Sequence, residues 1–349
     1  GHNEKQISRA IKNTLKSKKP NLISCKTIIG YGSPNKSGKE SSHGAALGNK
    51  EVQLVRKKLK WKYEPFEIPK KILNEWREIG KKGNIQEKKW NNIYNKKGKK
   101  VKDEYTRLIS GKLPKNLDKI IEEEKRKFFD SKPTLASRKS SASVLEAITN
   151  NLPELIGGSA DLSGSNNTKT KHSTIIKPSN FKGNYIHYGV REHAMAGIMN
   201  GMALHGGIIP YGGTFLIFLD YCKPSLRLSA FMGLKVIYIF SHDSIGLGED
   251  GPTHQPIEHL VHLRAIPNLN VFRPADTIET LECWEIALKS STNPSVIALS
   301  RQKIPFVTEA LTNKNMSALG GYELKRTNSN PEITLIASGS EVEIAIDAS

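Results

Sequence analysis

The sequence lacks long apolar runs and has few cysteines. It holds no run of about eighteen apolar residues, so it predicts no membrane-spanning helix. Its three cysteines, Cys25, Cys222 and Cys283, are widely spaced and form no Cys-x-x-Cys pair. Such spacing argues against a disulfide framework or a structural zinc site, and it favours a reducing compartment such as the cytoplasm. We expect all three to be buried as small apolar side chains.

Neither end has the features of a natural terminus. The chain begins Gly1-His2-Asn3-Glu4, with no initiator Met and no signal peptide. It stops in the segment 344–349, which reads as the start of a helix. We therefore expect an internal piece of a longer protein.

The positive charge is unevenly distributed. The formal net charge is +19, with +20 in residues 1–132 and −1 in residues 133–349. A nucleic-acid-binding surface of this kind would normally come with a recognisable module or stacking aromatic side chains, and neither is evident. We favour a solvated, Lys-rich helical surface and consider nucleic-acid binding unlikely, although binding of polyanions stays an alternative.

The first third of the chain is predicted to be mostly helical. The spacing of apolar residues predicts a helix over 5–18 and a buried strand over 22–29, followed by a Gly/Ser/Asn loop over 33–48. From about 50 to 130, the composition predicts several surface helices joining two domains.

After Pro133, helical segments alternate with short apolar runs, which is typical of an open α/β sheet with mostly parallel strands covered by helices. The runs lie at 155–158, 185–188, 236–240, 271–272 and 296–299, and a further strand is predicted at 333–337. Polar clusters follow several of these runs. Because ligands bind beyond the carboxyl ends of such strands, we expect the clusters to form one site.

The segment 242–256 is the strongest candidate for a binding loop. It holds two histidines and three acidic residues among several Gly and Pro. It lacks the alternating ligands of an EF-hand and the close spacing of a zinc site. We therefore favour hydrogen bonds from His242, Asp250 and His254 to a polyhydroxylated substrate. For Glu192, spacing alone leaves two interpretations, a functional acid or a stabilising acid at a helix N-terminus.

Five motifs, in order along the chain, resemble those of transketolases. They are Cys25–Pro34, Gly157–Leu162, Gly189–Met195, Gly212–Tyr221 and His242–Pro256. The last is the most specific, since it distinguishes transketolases from related thiamine-dependent enzymes. The resemblance spans essentially the whole chain and implies a thiamine-diphosphate-binding fold.

The resemblance implies roles for particular side chains around thiamine diphosphate. Glu192 matches the glutamate that contacts N1′ of the aminopyrimidine and favours the tautomer that deprotonates C2 of the thiazolium, so the cofactor performs the carbon chemistry. Phe215, Phe218 and Tyr221 match aromatics around the same ring, although a spacing of three also suits a helical core stripe. Asp161 matches an acid that lies near the cofactor across a homodimer interface.

The resemblance also implies a sugar-phosphate site. Arg138, Ser165 and Arg301 match residues that bind the phosphate, and guanidinium groups suit a dianion. His43 matches a histidine beside both the cofactor diphosphate and the substrate. With His242 and His254, it completes the set of candidate catalytic histidines, and Asp250 would set the preference at C2.

One departure is serious. The family binds Mg²⁺ and the diphosphate through a Gly-Asp-Gly motif followed by an Asn, and no Gly-Asp-Gly occurs here. We therefore predict no metal ligands in this piece. The predicted domains are the end of the diphosphate-binding domain (1–60), a Lys-rich helical linker (61–132), the pyrimidine-binding domain (133–305), and a linker with the start of the C-terminal domain (306–349).

The implied activity belongs to pentose-phosphate metabolism. A two-carbon ketol unit would pass from a ketose phosphate such as xylulose 5-phosphate to an aldose phosphate such as ribose 5-phosphate, through an adduct with thiamine diphosphate. Alternatives are another thiamine-dependent ketol transferase, such as dihydroxyacetone synthase, or a piece that is inactive on its own.

Overall fold

The computed structural model describes residues 1–326 and 331–349. The chain divides into two compact units, Gly1–Lys96 and Lys97–Ser349. In the described residues, no helix is long and apolar enough to cross a membrane.

The first unit is helical, as predicted. Its helices are α1 (Glu4–Thr14), α2 (Asn49–Lys58) and α3 (Lys70–Asn95). The α1 helix begins after Asn3, whose side chain accepts a hydrogen bond from the Gln6 amide and so satisfies one free donor of the first turn. No residue of α3 is buried, which agrees with the predicted solvated surface.

Two predictions for the first unit are wrong. Residues 22–29 form no strand, and Leu22 is almost fully exposed. Cys25 is exposed as well. A strand forms where a second strand shares its backbone hydrogen bonds, and the described residues of this unit contain no other strand.

The second unit is an α/β domain with a central sheet. Its helices are α4 (Lys99–Ile109), α5 (Leu117–Ser131), α6 (Ser137–Thr149), α7 (Ser163–Asn166), α8 (Glu192–His205), α9 (Leu219–Phe231), α10 (His259–Arg264), α11 (Thr277–Lys289) and α12 (Glu341–Asp347). Its strands are β1 (Leu135–Ala136), β2 (Leu155–Ser159), β3 (Tyr185–His187), β4 (Ile209–Phe215), β5 (Ile237–Ser241), β6 (Asn270–Phe272), β7 (Ser295–Leu299) and β8 (Lys303–Ile304).

Six strands form the main sheet, in the order β3-β2-β4-β5-β7-β6. All of its pairs are parallel, which confirms the predicted fold class. The short strands β1 and β8 pair separately and antiparallel. The chain moves outward from β2 to β3 and then returns to the other side of β2 with β4, so the strand order reverses between β2 and β4. Ligands bind at such a switch point in open α/β sheets.

Helices cover both faces of the sheet. Successive side chains of a strand point to opposite faces, so each strand contributes to two clusters. On β5, Ile237 and Ile239 pack in one core cluster with α6 and α11, whereas Tyr238 and Phe240 pack in a second cluster with α8 and α9. The buried strands therefore have nearly continuous apolar sequences, as two-sided burial requires.

Glycines allow close packing at the centre of the sheet. A Cβ on Gly157 would lie 2.2 Å from the Tyr211 ring, and one on Gly212 would lie 2.7 Å from the Met199 sulfur. A larger residue at Gly157 would therefore displace the Tyr211 ring, whereas one at Gly212 would require the Met199 side chain to shift.

The predicted strand at 333–337 is also wrong. These residues form no strand, and Ile333 and Ile336 are exposed. Within the described ranges no strand lies beside them to complete a ladder. The helix predicted at the end of the chain is present as α12, and it begins at Glu341.

Candidate functional site

The candidate site lies at the carboxyl ends of β2, β4 and β5, next to the switch point. Asp161 follows β2, Phe215 ends β4, and His242 follows β5. Asp161 and His242 both have a positive φ, 62° and 61°. Non-glycine residues rarely adopt this conformation, and strained residues are found preferentially at functional sites.

Three aromatic side chains form a surface beside the end of β4, and their exposure to solvent increases from one to the next. Phe215 stacks on Phe218 with ring centroids 5.7 Å apart, and Phe218 lies 5.7 Å from Tyr221. Phe215 is buried, Phe218 is half-buried, and Tyr221 is 62% exposed. A core stripe would bury all three. The surface is therefore suited to pack against a flat ring.

Glu192 begins α8 and is buried. Among the residues that the structure describes, no group donates a hydrogen bond to its carboxylate. Burial raises the pKa of the Cys222 thiol to about 12, and the Glu192 charge contributes to the same direction, so the carboxylate lies close to α9. Glu192 is thus an acid placed near the aromatic surface and free to bind a ligand.

His242 lies against the aromatic surface. Its ring centroid is 3.8 Å from that of Phe215, and the side chain is almost fully buried. Burial, and then the nearby Arg138 charge, lower the pKa of His242 to about 4. The ring is therefore neutral at physiological pH. Its Nε2 lies 3.8 Å from Oδ2 of Asp250.

The rest of the loop 242–256 folds back over the same surface. The His254 ring lies edge-on to Phe218 and Phe215, with centroids 5.5 Å and 6.0 Å apart. The structure therefore brings together His242, Asp250 and His254, as the sequence predicts.

Two arginines lie beside this loop. Arg138 donates from Nη1 to the backbone oxygen of Ser165 at 2.6 Å, while its buried Nε has no partner within the described part of the chain. Arg301 pairs with Glu249, and its Nε lies 3.9 Å from Asp250. Burial and the Arg301 charge lower the pKa of Arg138. Two cations that repel each other and retain free donors are arranged to bind an anion.

Family models match most of the chain. Residues 1–114 match "Transketolase, thiamine diphosphate binding domain", and residues 133–307 match "Transketolase, pyrimidine binding domain". The chain belongs to the transketolase family. The site described above lies within the pyrimidine-binding match.

Known transketolases are similar along the entire chain. The sequence is 50% identical over 351 residues to a transketolase of Sinorhizobium medicae and 44% identical over 352 residues to transketolase 2 of Escherichia coli, covering 100% of this chain in both cases. These matches cover 50% and 52% of the two relatives. The chain thus spans about half the length of the curated relatives it matches.

The fold agrees with solved transketolase structures. The structure of Pichia stipitis transketolase in complex with sedoheptulose 7-phosphate superposes with a TM-score of 0.89 at 38% identity, covering 99% of this chain and 51% of that one. Transketolase from Campylobacter jejuni gives a TM-score of 0.85 at 36% identity, covering 99% and 52%.

One predicted transketolase site residue lies outside the pyrimidine-binding region. His43 is in the first unit, where it is exposed and follows the short 3₁₀ turn Glu40–Ser42. Its role at the cofactor and substrate stays a prediction. In the second unit, Asp161 is exposed after β2, and its role across a dimer interface stays a prediction too.

The loop that carries His43 is held by a buried carboxylate that the sequence pattern does not predict. The buried Glu51 accepts hydrogen bonds from the Ser33 hydroxyl and, at 2.9 Å, from both the backbone amide and the side chain of Asn35. Lys36 then donates to the Leu47 oxygen at 3.1 Å, which closes the loop. An acid at the start of a Lys-rich helix gave little signal of this role.

A second missed group lies beside the loop 242–256, within the match to the pyrimidine-binding domain. The half-buried Arg273 donates from Nε to Oδ2 of Asp243 at 2.7 Å, and it also pairs with Glu341 at the start of α12. Asp243 follows His242 directly. Arg273 therefore joins the base of the loop to the C-terminal segment. In the sequence, only the position of Asp243 after a predicted strand indicates this contact.

Proposed function

We propose that the protein containing this chain is a transketolase that transfers a two-carbon ketol unit from a ketose phosphate to an aldose phosphate. The observation that carries the proposal is the buried Glu192 at the start of α8, close to the helix that bears Tyr221. The residues present fit the pyrimidine half of thiamine diphosphate, since they combine an unpaired buried acid with a graded aromatic surface.

The chain's own residues would bind and orient the cofactor and the sugar. Glu192 would hold a proton at N1′ of the aminopyrimidine, while Phe215, Phe218 and Tyr221 would pack against that ring. When bound, thiamine diphosphate supplies the nucleophile and the electron sink for cleavage of the carbon–carbon bond. His242, Asp250 and His254 would bind sugar hydroxyls.

The two arginines support a phosphorylated substrate over a free sugar. Arg138, with its free buried donor, and Arg301 would bind the phosphate, with Ser165 beside them. This favours a ketose phosphate as the donor. The solved Pichia stipitis complexes contain sedoheptulose 7-phosphate, fructose 6-phosphate and xylulose 5-phosphate, which are sugars of this class.

Further properties of the whole protein are part of the proposal. We propose a cytoplasmic homodimer of the pentose phosphate pathway, with active sites at the subunit interface. Exposed apolar side chains on α8 and α9, including Leu204 and Phe231, are compatible with such an interface. Mg²⁺ would be held with the diphosphate by residues outside this chain, because the sequence has no Gly-Asp-Gly motif.

The test is ketol transfer by the full-length protein and its Glu192→Gln variant. We expect thiamine-dependent transfer from xylulose 5-phosphate to ribose 5-phosphate, and a loss of kcat of at least about a hundredfold in the variant, in the range of acid–base contributions. Undiminished turnover in the variant would exclude the role of Glu192. A full-length protein that transfers from free dihydroxyacetone donors only would exclude the sugar-phosphate assignment.

A second test concerns the chain by itself. Calorimetry should show weak binding of magnesium–thiamine diphosphate, since the metal-diphosphate anchor is expected elsewhere in the protein. Tight, magnesium-dependent binding would contradict that expectation.

A further inference from the structure

Every donor of the Arg273 side chain is in use. A guanidinium group has five N–H bonds, and those of Arg273 have five acceptor atoms within reach. Nε donates to Oδ2 of Asp243 at 2.7 Å. Nη1 donates to the Ser338 oxygen at 2.9 Å and to Oε2 of Glu341, while Nη2 donates to Oε1 of Glu341 at 3.0 Å and to the Ser340 hydroxyl at 3.3 Å. No donor remains for a ligand, so this arginine supports other residues and does not bind substrate.

The backbone of the segment 338–341 fits closely around Arg273. Gly339 has a φ of 62°, a conformation that favours glycine. A Cβ at this position would also lie 2.8 Å from Cγ and 2.9 Å from Nε of Arg273. The glycine therefore lets the chain turn around the side chain, so that residues on both sides of Gly339 reach the guanidinium. Four of its five hydrogen bonds go to this segment.

The fifth hydrogen bond goes to a buried charge at the base of the loop 242–256. Only 1% of the Asp243 side chain is exposed. In the part of the chain that the structure describes, Arg273 is its one cationic partner, and its Oδ1 accepts no hydrogen bond. A buried carboxylate is stable only when a counter-charge compensates for the lost water. The position of Asp243 therefore depends on the guanidinium, which the segment 338–341 holds.

Asp243 directly follows the first residue of the candidate substrate loop. His242 has a φ of 61°, a conformation that a non-glycine residue keeps only where its surroundings enforce it. The ring centroid of His242 is 3.8 Å from that of Phe215, and its Nε2 lies 3.8 Å from Oδ2 of Asp250. A shift of Asp243 would turn this backbone and change both distances. The ion pair thus fixes the direction in which His242 points.

We propose that Arg273 is a positioning residue through which the segment 338–341 holds the loop 242–256 in its substrate-binding conformation. Docking of the segment places the guanidinium, the guanidinium places Asp243, and Asp243 places His242. Affinity for the sugar is therefore set in part by residues beyond the pyrimidine-binding match, which ends at residue 307. The effect on substrate rests on the proposed function, whereas the order of the loop does not.

The order of the loop can be measured without substrate. Hydrogen exchange of the amides at the base of the loop, residues 241–247, is followed by mass spectrometry in the full-length protein and in its Glu341→Ala variant. This variant keeps the pair between Asp243 and Arg273. Because Glu341 accepts two charge-assisted hydrogen bonds, we expect its loss to speed exchange at the base of the loop by at least about tenfold. Unchanged exchange would overturn the proposal.

Tyr322→Phe is the matched control for this measurement. Tyr322 donates to Oε1 of Glu279 at 2.6 Å and so joins the same C-terminal part of the chain to α11, away from the loop. We expect Tyr322→Phe to lower stability and to leave exchange at residues 241–247 unchanged. An equal acceleration in this variant would overturn the proposal, because any loosening of the C-terminal part would then suffice.

Kinetics of the full-length protein separate positioning from general stability. Glu341→Ala and Asp243→Asn should each raise the KM for the ketose phosphate by about tenfold, the effect of a charge-assisted hydrogen bond, with smaller changes in kcat and in the affinity for thiamine diphosphate. Since both act through one side chain, the double variant should be no worse than Asp243→Asn. Arg273→Lys keeps a charge for Asp243 but loses the paired donors to Glu341, so its KM should match that of Glu341→Ala.

The outcomes distinguish this coupling from the proposed function. Additive effects of Glu341→Ala and Asp243→Asn on KM would overturn coupling through Arg273, as would an equal rise in KM in Tyr322→Phe. If Asp243→Asn does not fold, exchange in Glu341→Ala still decides, because the Glu341 side chain is 46% exposed and its loss leaves the buried pair intact. Faster exchange in Glu341→Ala without ketol transfer by the wild type would refute only the proposed function.

Discussion

Replacing Arg138 with Leu tests the phosphate-binding role of the two arginines. Arg138 is half-buried, has a free buried Nε, and uses Nη1 on the Ser165 backbone. A phosphate dianion would accept charge-assisted hydrogen bonds from the remaining donors of Arg138. It would also reduce the repulsion between Arg138 and Arg301. Bonds of this kind contribute about 1.5–3 kcal/mol, so we expect KM for a ketose phosphate to rise about tenfold to a hundredfold.

We expect a smaller effect when Arg301 is replaced. Its side chain is 30% exposed and already pairs with the exposed Glu249. Exposed charge pairs are worth about 0.2–1 kcal/mol, so Arg301→Leu should raise KM by no more than about fivefold. We therefore expect KM to rise more in Arg138→Leu than in Arg301→Leu. Both residues carry the same charge, so this difference follows from burial alone.

The assay is steady-state kinetics of the full-length protein with a ketose phosphate and with the corresponding free ketose. Loss of the arginine should matter only for the phosphorylated donor. Arg107→Leu is the control, since Arg107 pairs with Glu104 and Glu154 and would affect stability alone. Equal losses for both donors in Arg138→Leu would refute the reasoning.

Three further predictions concern charge and packing. The pKa of His242 is about 4 in the folded protein and about 6.5 in the unfolded chain, so its contribution to stability is complete above pH 6.5 and falls as the pH decreases. In urea unfolding, the wild type should therefore lose about 2 kcal/mol more unfolding free energy than His242→Gln between pH 7 and pH 5. Hydrogen bonds to the Glu51 carboxylate lower its pKa to about 2, so Glu51→Gln should loosen the loop 33–47 and speed its proteolysis, unlike the exposed Glu40→Gln. Leu145 is fully buried, so Leu145→Ala should cost about 2–5 kcal/mol of unfolding free energy.

The sequence predicts the sheet well where both faces of a strand are buried. The runs that became β2, β5 and β7 are nearly unbroken apolar segments, and two-sided burial produces that pattern. The sequence does not predict β4, because Pro210, Gly212 and Gly213 interrupt the apolar pattern of a buried strand. Those glycines are required by close packing, a tertiary effect that local propensity does not report.

The two predicted strands that do not form have a common cause. Residues 22–29 and 333–337 have the composition of strands, but a strand also needs a neighbour, and composition does not report one. The site shows the same limit. The motifs predict that His242, Asp250 and His254 come together, whereas the ion pair between Asp243 and Arg273 becomes evident only from distances.

The glycines of β2 and β4 also restrict where new substrate preferences can arise. Gly157, Gly212 and Gly213 each face a side chain at a distance that an added methyl group cannot share. The segment 244–251 is largely exposed at the surface. Laboratory evolution toward other sugars should therefore accumulate changes in that segment, while libraries that randomise these glycines should yield mainly proteins that fail to fold.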